Sequence, residues 1–175
     1  MILSRRDALR IGGLLLAGLP FGQVLAQDAA VVDIVMRGNT DGSKVWFDPI
    51  GVLVRPGQTV RWTNKDPGNS HTATAYHPNY DGRPLRIPAT AEPWDSGYLL
   101  PDQSFSVVLS EPGIYDYFCL PHEHAGMVGR LVVAAAGAAI GAAPAGSPIE
   151  GLEADAFPPV EEIIREGRVS SPISR

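Results

Sequence analysis

The chain has 175 residues, 45% of them hydrophobic, and a formal net charge of −5 at pH 7. This length and composition allow one domain with a buried core, together with terminal segments outside it. The acidic balance and the lack of a Lys/Arg block argue against nucleic acid as a partner. The single cysteine, Cys119, excludes an intramolecular disulfide. In an exported protein such a cysteine is a free thiol or a ligand.

The N-terminus has the features of a targeting segment. The stretch SRRDALR, residues 4–10, resembles the twin-arginine export signal. The apolar run that follows is short and interrupted by glycine and proline, which is poorly suited to a membrane span. Val24-Leu25-Ala26 fits a signal cleavage site before Gln27. We therefore predict that residues 1–26 are a signal peptide for export to the periplasm, with a retained anchor as the alternative. No stable membrane span is expected after cleavage.

The next part of the chain is composed of short strand-like runs separated by turn residues. In the run at 58–64, Val60 and Trp62 alternate with Arg61 and Thr63, which is the period of a half-buried strand. Strands are predicted in chain order at 31–36, 44–47, two within 50–64 joined at Pro56-Gly57, 71–76, 103–109, 113–119 and 128–133. Short strands with Pro/Gly turns and no helical period predict an all-β sandwich over residues 28–134.

Two segments depart from this rhythm. Residues 79–100 are rich in Pro, Asp and Gly and are interpreted as an ordered excursion, with a long surface connection as the alternative. Beyond Val133 the composition changes to Ala, Gly and Pro, so residues 135–175 are predicted to be a flexible linker and tail. One short helix is expected there at 159–166, since Pro158 precedes it and Gly167 follows it.

The stretch FCLPHEHAGM, residues 118–127, concentrates soft donor atoms. Its spacing is Cys119-x2-His122-x4-Met127, and Pro121 and Gly126 permit a tight loop. A thiolate, an imidazole and a thioether suit copper in both Cu(I) and Cu(II) states, whereas zinc prefers two thiolates or a His/carboxylate set. A second imidazole should come from a distant strand. His71 is the best candidate, because it follows a turn-rich loop.

These residues resemble a known family. The segments VRPGQTVRWTNKD (54–66), HT (71–72) and GIYDYFCLPHEHAGMVG (113–129) are similar to the plastocyanin/pseudoazurin group of cupredoxins, which are small blue (type 1) copper proteins. The resemblance covers about residues 31–134 and implies a Greek-key β-sandwich that binds one copper ion. It implies three ligands near a trigonal plane, His71, Cys119 and His122, with Met127 as the long axial ligand.

Some positions depart from the family pattern or compete with it. His124 could take the ligand role, but only His122 keeps the family's three-residue step from Cys119. Phe118 stands where plant plastocyanins have tyrosine, so a plant-like tyrosine docking site is not expected. His77 is interpreted as structural or solvated. The tryptophans are interpreted as packing residues: Trp46, Trp62 and Trp94.

The resemblance implies an electron carrier rather than an enzyme, because four protein ligands leave no open position for a substrate. The expected partners are redox proteins such as a c-type cytochrome or a terminal reductase or oxidase, and the protein is expected to be a monomer. The acidic surface could orient a basic partner. The alternative is copper delivery or storage. That role would favour Met/His clusters, and only Met36 and Met127 follow the initial methionine.

Overall fold

A computed structural model describes residues 31–135, 137, 149, 151–152 and 156–174. The proposed signal peptide and most of the linker lie outside the described residues. Within them, no helix combines the length and hydrophobicity needed to cross a membrane. The elements in chain order are β1 (Val32–Gly38), β2 (Val45–Asp48), β3 (Gly51–Val54), β4 (Gln58–Asn64), β5 (Thr74–Ala75), β6 (Ser104–Leu109), β7 (Gly113–Phe118), a 3-10 helix (Leu120–Ala125), β8 (Val128–Val133), α1 (Val160–Glu166), β9 (Arg168–Val169) and a 3-10 helix (Pro172–Ser174).

The strands form two sheets that confirm the predicted β-sandwich. The first sheet has the order β2-β1-β4-β6 and the second has the order β5-β7-β8-β3-β9. The pairs β1–β4 and β3–β8 are parallel, while all other pairs are antiparallel. Parallel neighbours require the chain to cross between the sheets, which is how a sandwich brings sequence-distant loops to one end.

Alternation along the strands decides which side chains lie between the sheets. Val60 and Trp62 of β4 are fully buried, whereas Arg61 between them is exposed. Tyr115 and Tyr117 of β7 belong to the same core cluster as Cys119, which directly follows the strand. The period of two along β7 therefore directs the Cys119 sulfur into the interior.

The tryptophans largely follow the packing interpretation. The rings of Trp62 and Trp94 lie 5.7 Å apart, and the Tyr117 ring meets Trp62 edge-on at 5.3 Å. Trp46 on β2 is only partly buried. Gly129 of β8 faces Tyr117, and a Cβ atom there would overlap the phenol ring. Strand β7 is thus packed tightly against its neighbour β8 and against the first sheet.

The excursion at 79–100 is ordered and shortens the strand predicted before it. Trp94 and Leu99 are buried in the core, and Leu99 forms an isolated bridge with His71. Asp95 forms a second bridge with Thr74. The predicted strand at 71–76 is therefore corrected to the two residues of β5, because the excursion takes the backbone hydrogen bonds on that side.

The described part of the C-terminal tail packs on the sandwich. We call residues 156–174 the C-terminal segment. Helix α1 lies where a short helix was expected, with Ile163 fully buried and Ile164 exposed. Strand β9 then pairs antiparallel with β3 at the edge of the second sheet. The prediction of a flexible tail consequently does not extend to the C-terminal segment.

Candidate metal centre

Three of the four predicted ligand residues converge at one end of the sandwich. The donor atoms of His71, Cys119 and His122 all lie within 4.8 Å of one another. The Nδ1 atoms of the two imidazoles are 3.1 Å apart, and each lies 3.5 Å from the Cys119 sulfur. His71 and Cys119 are fully buried, while His122 is partly exposed. Among the described residues, this is the group of His, Cys and carboxylate side chains that could hold a metal ion.

A tight loop delivers two of these side chains. After Cys119 the chain forms the 3-10 helix Leu120–Ala125, which ends at Gly126 in the left-handed conformation with φ 82°. The Cys119 amide donates to the Met127 carbonyl at 3.0 Å, and the Met127 amide donates to the His122 carbonyl at 3.1 Å. These backbone bonds close the loop, so the local sequence brings the imidazole back over the sulfur. We call residues 119–127 the ligand loop.

His71 is oriented by a carboxylate outside the donor group. Its Nε2 atom lies 3.0 Å from Oδ2 of Asp66, which leaves Nδ1 free to face the sulfur. Asp66 is buried and also accepts hydrogen bonds from the Asn69 side chain and the Gly68 amide. Burial raises the pKa of Asp66, but these bonds and His71 hold the pKa below its usual value. A charged acceptor at Nε2 fixes the ring tautomer that a metal at Nδ1 requires.

Burial controls the protonation of the donor atoms themselves. It raises the pKa of the Cys119 thiol to about 11, although the Thr72 amide donates to the sulfur at 3.3 Å. Burial also lowers the pKa of His71 and of His122, which favours neutral imidazoles. Neutral imidazole is the ligating form, whereas the thiol must lose its proton when a metal binds.

Met127 lies in the same cluster of buried core residues as Cys119 and is fully buried. The main-chain bonds of the ligand loop place it beside Cys119 in the fold. Its role as an axial ligand remains a prediction.

The other histidines lie apart from the donor group. His124 is exposed at the end of the 3-10 helix. His77 is partly buried, and its Nδ1 atom accepts a hydrogen bond from the Asn79 amide at 3.1 Å. Neither belongs to the converging donor group, and their assignment as non-ligands stays an interpretation.

Two carboxylates at the site were missed by the sequence interpretation. Asp66 stands within the quoted NKD stretch, so its proximity to His71 in the chain was an available signal. Glu123 lies inside the ligand loop, yet it is 1% exposed. No sequence signal indicated its burial, because a charged residue in a loop is normally solvated.

The donor set fits a type 1 copper site. One thiolate and two imidazoles with a nearby thioether form a soft, compact set. The sulfur and both nitrogens already face one another without any carboxylate donor among them, which is unlike the oxygen-rich sites of hard cations. The nearby carboxylate of Asp66 contacts Nε2 of His71 and is not one of the donors.

Comparisons with known proteins agree with this chemistry. The family model described as copper binding proteins, plastocyanin/azurin family, matches residues 34–134. The chloroplastic plastocyanin of Tetradesmus obliquus is 32% identical over 130 residues, which cover 74% of this chain and 83% of the relative. The chloroplastic plastocyanin of Fritillaria agrestis is 35% identical over 123 residues, covering 69% of this chain and 70% of the relative.

Among solved structures, a pseudoazurin from Sinorhizobium matches with a TM-score of 0.46 and 27% identity, covering 60% of this chain and 74% of the other.

Proposed function

The chain belongs to the plastocyanin/azurin family of copper-binding proteins, and on this premise we propose that it is a periplasmic electron carrier with a single type 1 copper site. Copper is its cofactor, and the family to which it belongs carries electrons rather than catalysing a reaction. The observation that carries the proposal is the convergence of one buried sulfur and two imidazole nitrogens, of which only one ring reaches the surface.

We assign His71, Cys119, His122 and Met127 as the four ligands. The first three are supported by their short mutual distances, and Met127 by its burial beside Cys119. Bound copper would supply a couple between Cu(I) and Cu(II) at this position.

The surrounding residues hold the ligands in place. Asp66 orients His71, while Thr72 donates its amide to the Cys119 sulfur and accepts the Leu120 amide on its hydroxyl at 2.8 Å. A ligand set held by both sheets and by the excursion limits rearrangement between oxidation states. His122 is the partly exposed member of the group, so its ring is the shortest route from the site to solvent.

Colour tests this function directly. The purified mature protein loaded with copper should show intense orange-red absorption in its oxidised form, because the thiolate donates charge to Cu(II). A mild reductant should bleach it, and reoxidation should restore it over many cycles. A colourless protein that readily passes Cu(I) to a chelator would instead identify a copper delivery or storage protein.

The cellular setting is also part of the proposal. Residues 1–26 would direct export by the twin-arginine route and be removed, leaving the copper domain at 28–134 with its C-terminal extension. The partners would be redox proteins such as a c-type cytochrome or a terminal reductase or oxidase. The protein itself would be a monomer. The full chain has a net charge of −5, and removing residues 1–26, with their three Arg and one Asp, makes it −7, which supports a partner with a basic docking face.

The rim around His122 is suited to brief docking. Leu120 is 40% exposed, and Pro121 and Ala125 are also exposed, which makes an uncharged surface beside the partly exposed ring. Transient redox interfaces are small, so one inserted charge at their centre has a large effect. Ala125→Lys should slow bimolecular electron transfer with a c-type cytochrome by about tenfold while leaving the copper spectrum unchanged. Stopped-flow mixing measures the rate.

A matched control for this charge is available on the first sheet. Ser106 is exposed on β6, and Ser106→Lys adds the same charge away from the ligand loop. It should leave the rate close to that of the wild type. If Ala125→Lys has no effect while charge changes in the C-terminal segment slow the reaction, docking occurs elsewhere.

A further inference from the structure

The ligand loop contains a buried carboxylate that is not among the donors. Glu123 follows His122 directly and is 1% exposed. The Tyr76 hydroxyl donates to its Oε1 atom at 2.8 Å, and Arg83 forms an ion pair with Oε2 at 2.7 Å. A buried charge is tolerated only when it is paired and hydrogen-bonded. The loop is thus tied to two residues outside it at the position next to a ligand.

Tyr76 is in turn part of a second hydrophobic cluster, on the side of the second sheet away from the main core. The cluster comprises Tyr76, Phe118, Val128 and Phe157. Phe118 and Val128 directly neighbour Cys119 and Met127 in sequence, so the cluster lies behind both ends of the ligand loop. The Tyr76 ring packs on Phe118 with centroids 4.5 Å apart and ring planes tilted by 36°, and it meets Phe157 edge-on at 5.9 Å.

Phe157 belongs to the C-terminal segment and is held from two sides. The guanidinium carbons of Arg86 and Arg130 lie 5.1 and 5.0 Å from its ring centroid. Both arginines are paired with the fully buried carboxylate of Asp116, at 2.6 and 2.7 Å. Arg130 also donates to the carbonyl of Pro158 at 3.1 Å. Charged groups held over an aromatic face in this way fix its position.

The docking of the segment depends on one glycine. A Cβ atom at Gly51 of β3 would lie 2.8 Å from side-chain atoms of both Pro158 and Ile163. The absence of a side chain there lets the start of α1 approach the sheet, and Ile163 is fully buried as a result. The sheet surface is therefore shaped to receive the C-terminal segment.

We infer that the C-terminal segment positions the ligand loop, with Phe157 supporting Tyr76 and Tyr76 holding Glu123. Phe157, Tyr76 and Glu123 are positioning residues, since none of them belongs to the donor group. The inference rests on the proposed function in that the loop it steadies is the one assigned to copper. Its physical content, the rigidity of residues 119–127, is a property of the chain without metal.

The test compares full mature chains in the metal-free form by amide hydrogen exchange. Phe157→Ala and Tyr76→Phe should each speed exchange in residues 119–127 by about tenfold, because each breaks one step of the contact series. The copper-loaded variants should also show altered copper hyperfine lines in electron paramagnetic resonance. Ile164→Ala is the matched control, since Ile164 is on the same helix but 44% exposed, and it should behave as wild type.

The amides of β4 in the first sheet distinguish positioning from general stability. They should exchange at the wild-type rate in both variants. Unchanged exchange in the ligand loop, or a parallel rise in the loop and β4, would overturn the inference. Because exchange is measured without copper, either of these results would leave the electron-carrier proposal standing. A colourless copper-loaded wild type would instead refute the electron-carrier proposal and leave the positioning inference untouched.

Discussion

Cys119→Ser is expected to abolish the intense visible absorption of the oxidised, copper-loaded protein. The absorption requires charge transfer from a thiolate, and a hydroxyl cannot replace the soft sulfur. Serine is close to cysteine in size, and the position is fully buried, so the core should remain packed. Absorption spectroscopy measures the loss, and circular dichroism verifies that the variant is folded. A variant as blue as the wild type would refute the assignment of Cys119.

The same variant should lose the stabilisation that copper confers on folding. At a free copper concentration one hundred times its Kd, a ligand that binds only the native state stabilises it by about 2.7 kcal/mol. The wild type should show this increase in its free energy of unfolding. At the same copper concentration, Cys119→Ser should gain much less, because one of the three converging donors is gone. Chemical denaturation with and without copper provides the measurement.

His122→Ala and His124→Ala should have opposite outcomes. His122 contributes one of the nitrogens 3.5 Å from the sulfur, so its removal opens a ligand position and should greatly weaken the blue band. Because this ring is partly exposed, added imidazole should reach the opening and restore the band. His124 is exposed and outside the donor group, so His124→Ala should keep the wild-type spectrum. Titration of each variant with imidazole provides the comparison.

Comparing these two variants also tests which histidine of the ligand loop is the copper ligand. Both histidines lie on the same 3-10 helix. Each substitution therefore removes one imidazole from that helix, and the two variants differ only in its position. If His124→Ala lost the blue band while His122→Ala kept it, His124 and not His122 would be the ligand. Loss in both would indicate that the helix itself, rather than one ring, is required.

Local patterns in the sequence determined most of the sandwich. Strand β8 begins and ends where alternation and turn residues predicted, and β4 and β6 differ from the predictions by at most one residue. The Cys119-x2-His122-x4-Met127 spacing is equally local, because a single 3-10 helix and one left-handed glycine set the geometry of the loop. Interactions between residues a few positions apart are readable without tertiary contacts.

The second imidazole was inferred from the sequence, but only the fold places it. His71 and His122 are separated by 51 positions, yet their Nδ1 atoms lie 3.1 Å apart. The bridge from His71 to Leu99 also belongs to the excursion, which replaced most of the predicted strand. Hydrogen-bond partners that are distant in sequence leave no periodic signal, so propensity alone could not separate a strand from a bridged loop.

Only the tertiary structure determined that Glu123 is buried and that the C-terminal segment packs on the sandwich. Composition predicted a flexible tail, and a charged loop residue such as Glu123 is solvated in most proteins. Burial of Glu123 depends on Tyr76 and Arg83, and docking of the segment depends on the bare backbone at Gly51. These partners are distant in sequence and come together only in the folded protein. A charge or a short helix has no stable place in the protein until such a surface exists to pair with it or to bury its apolar face.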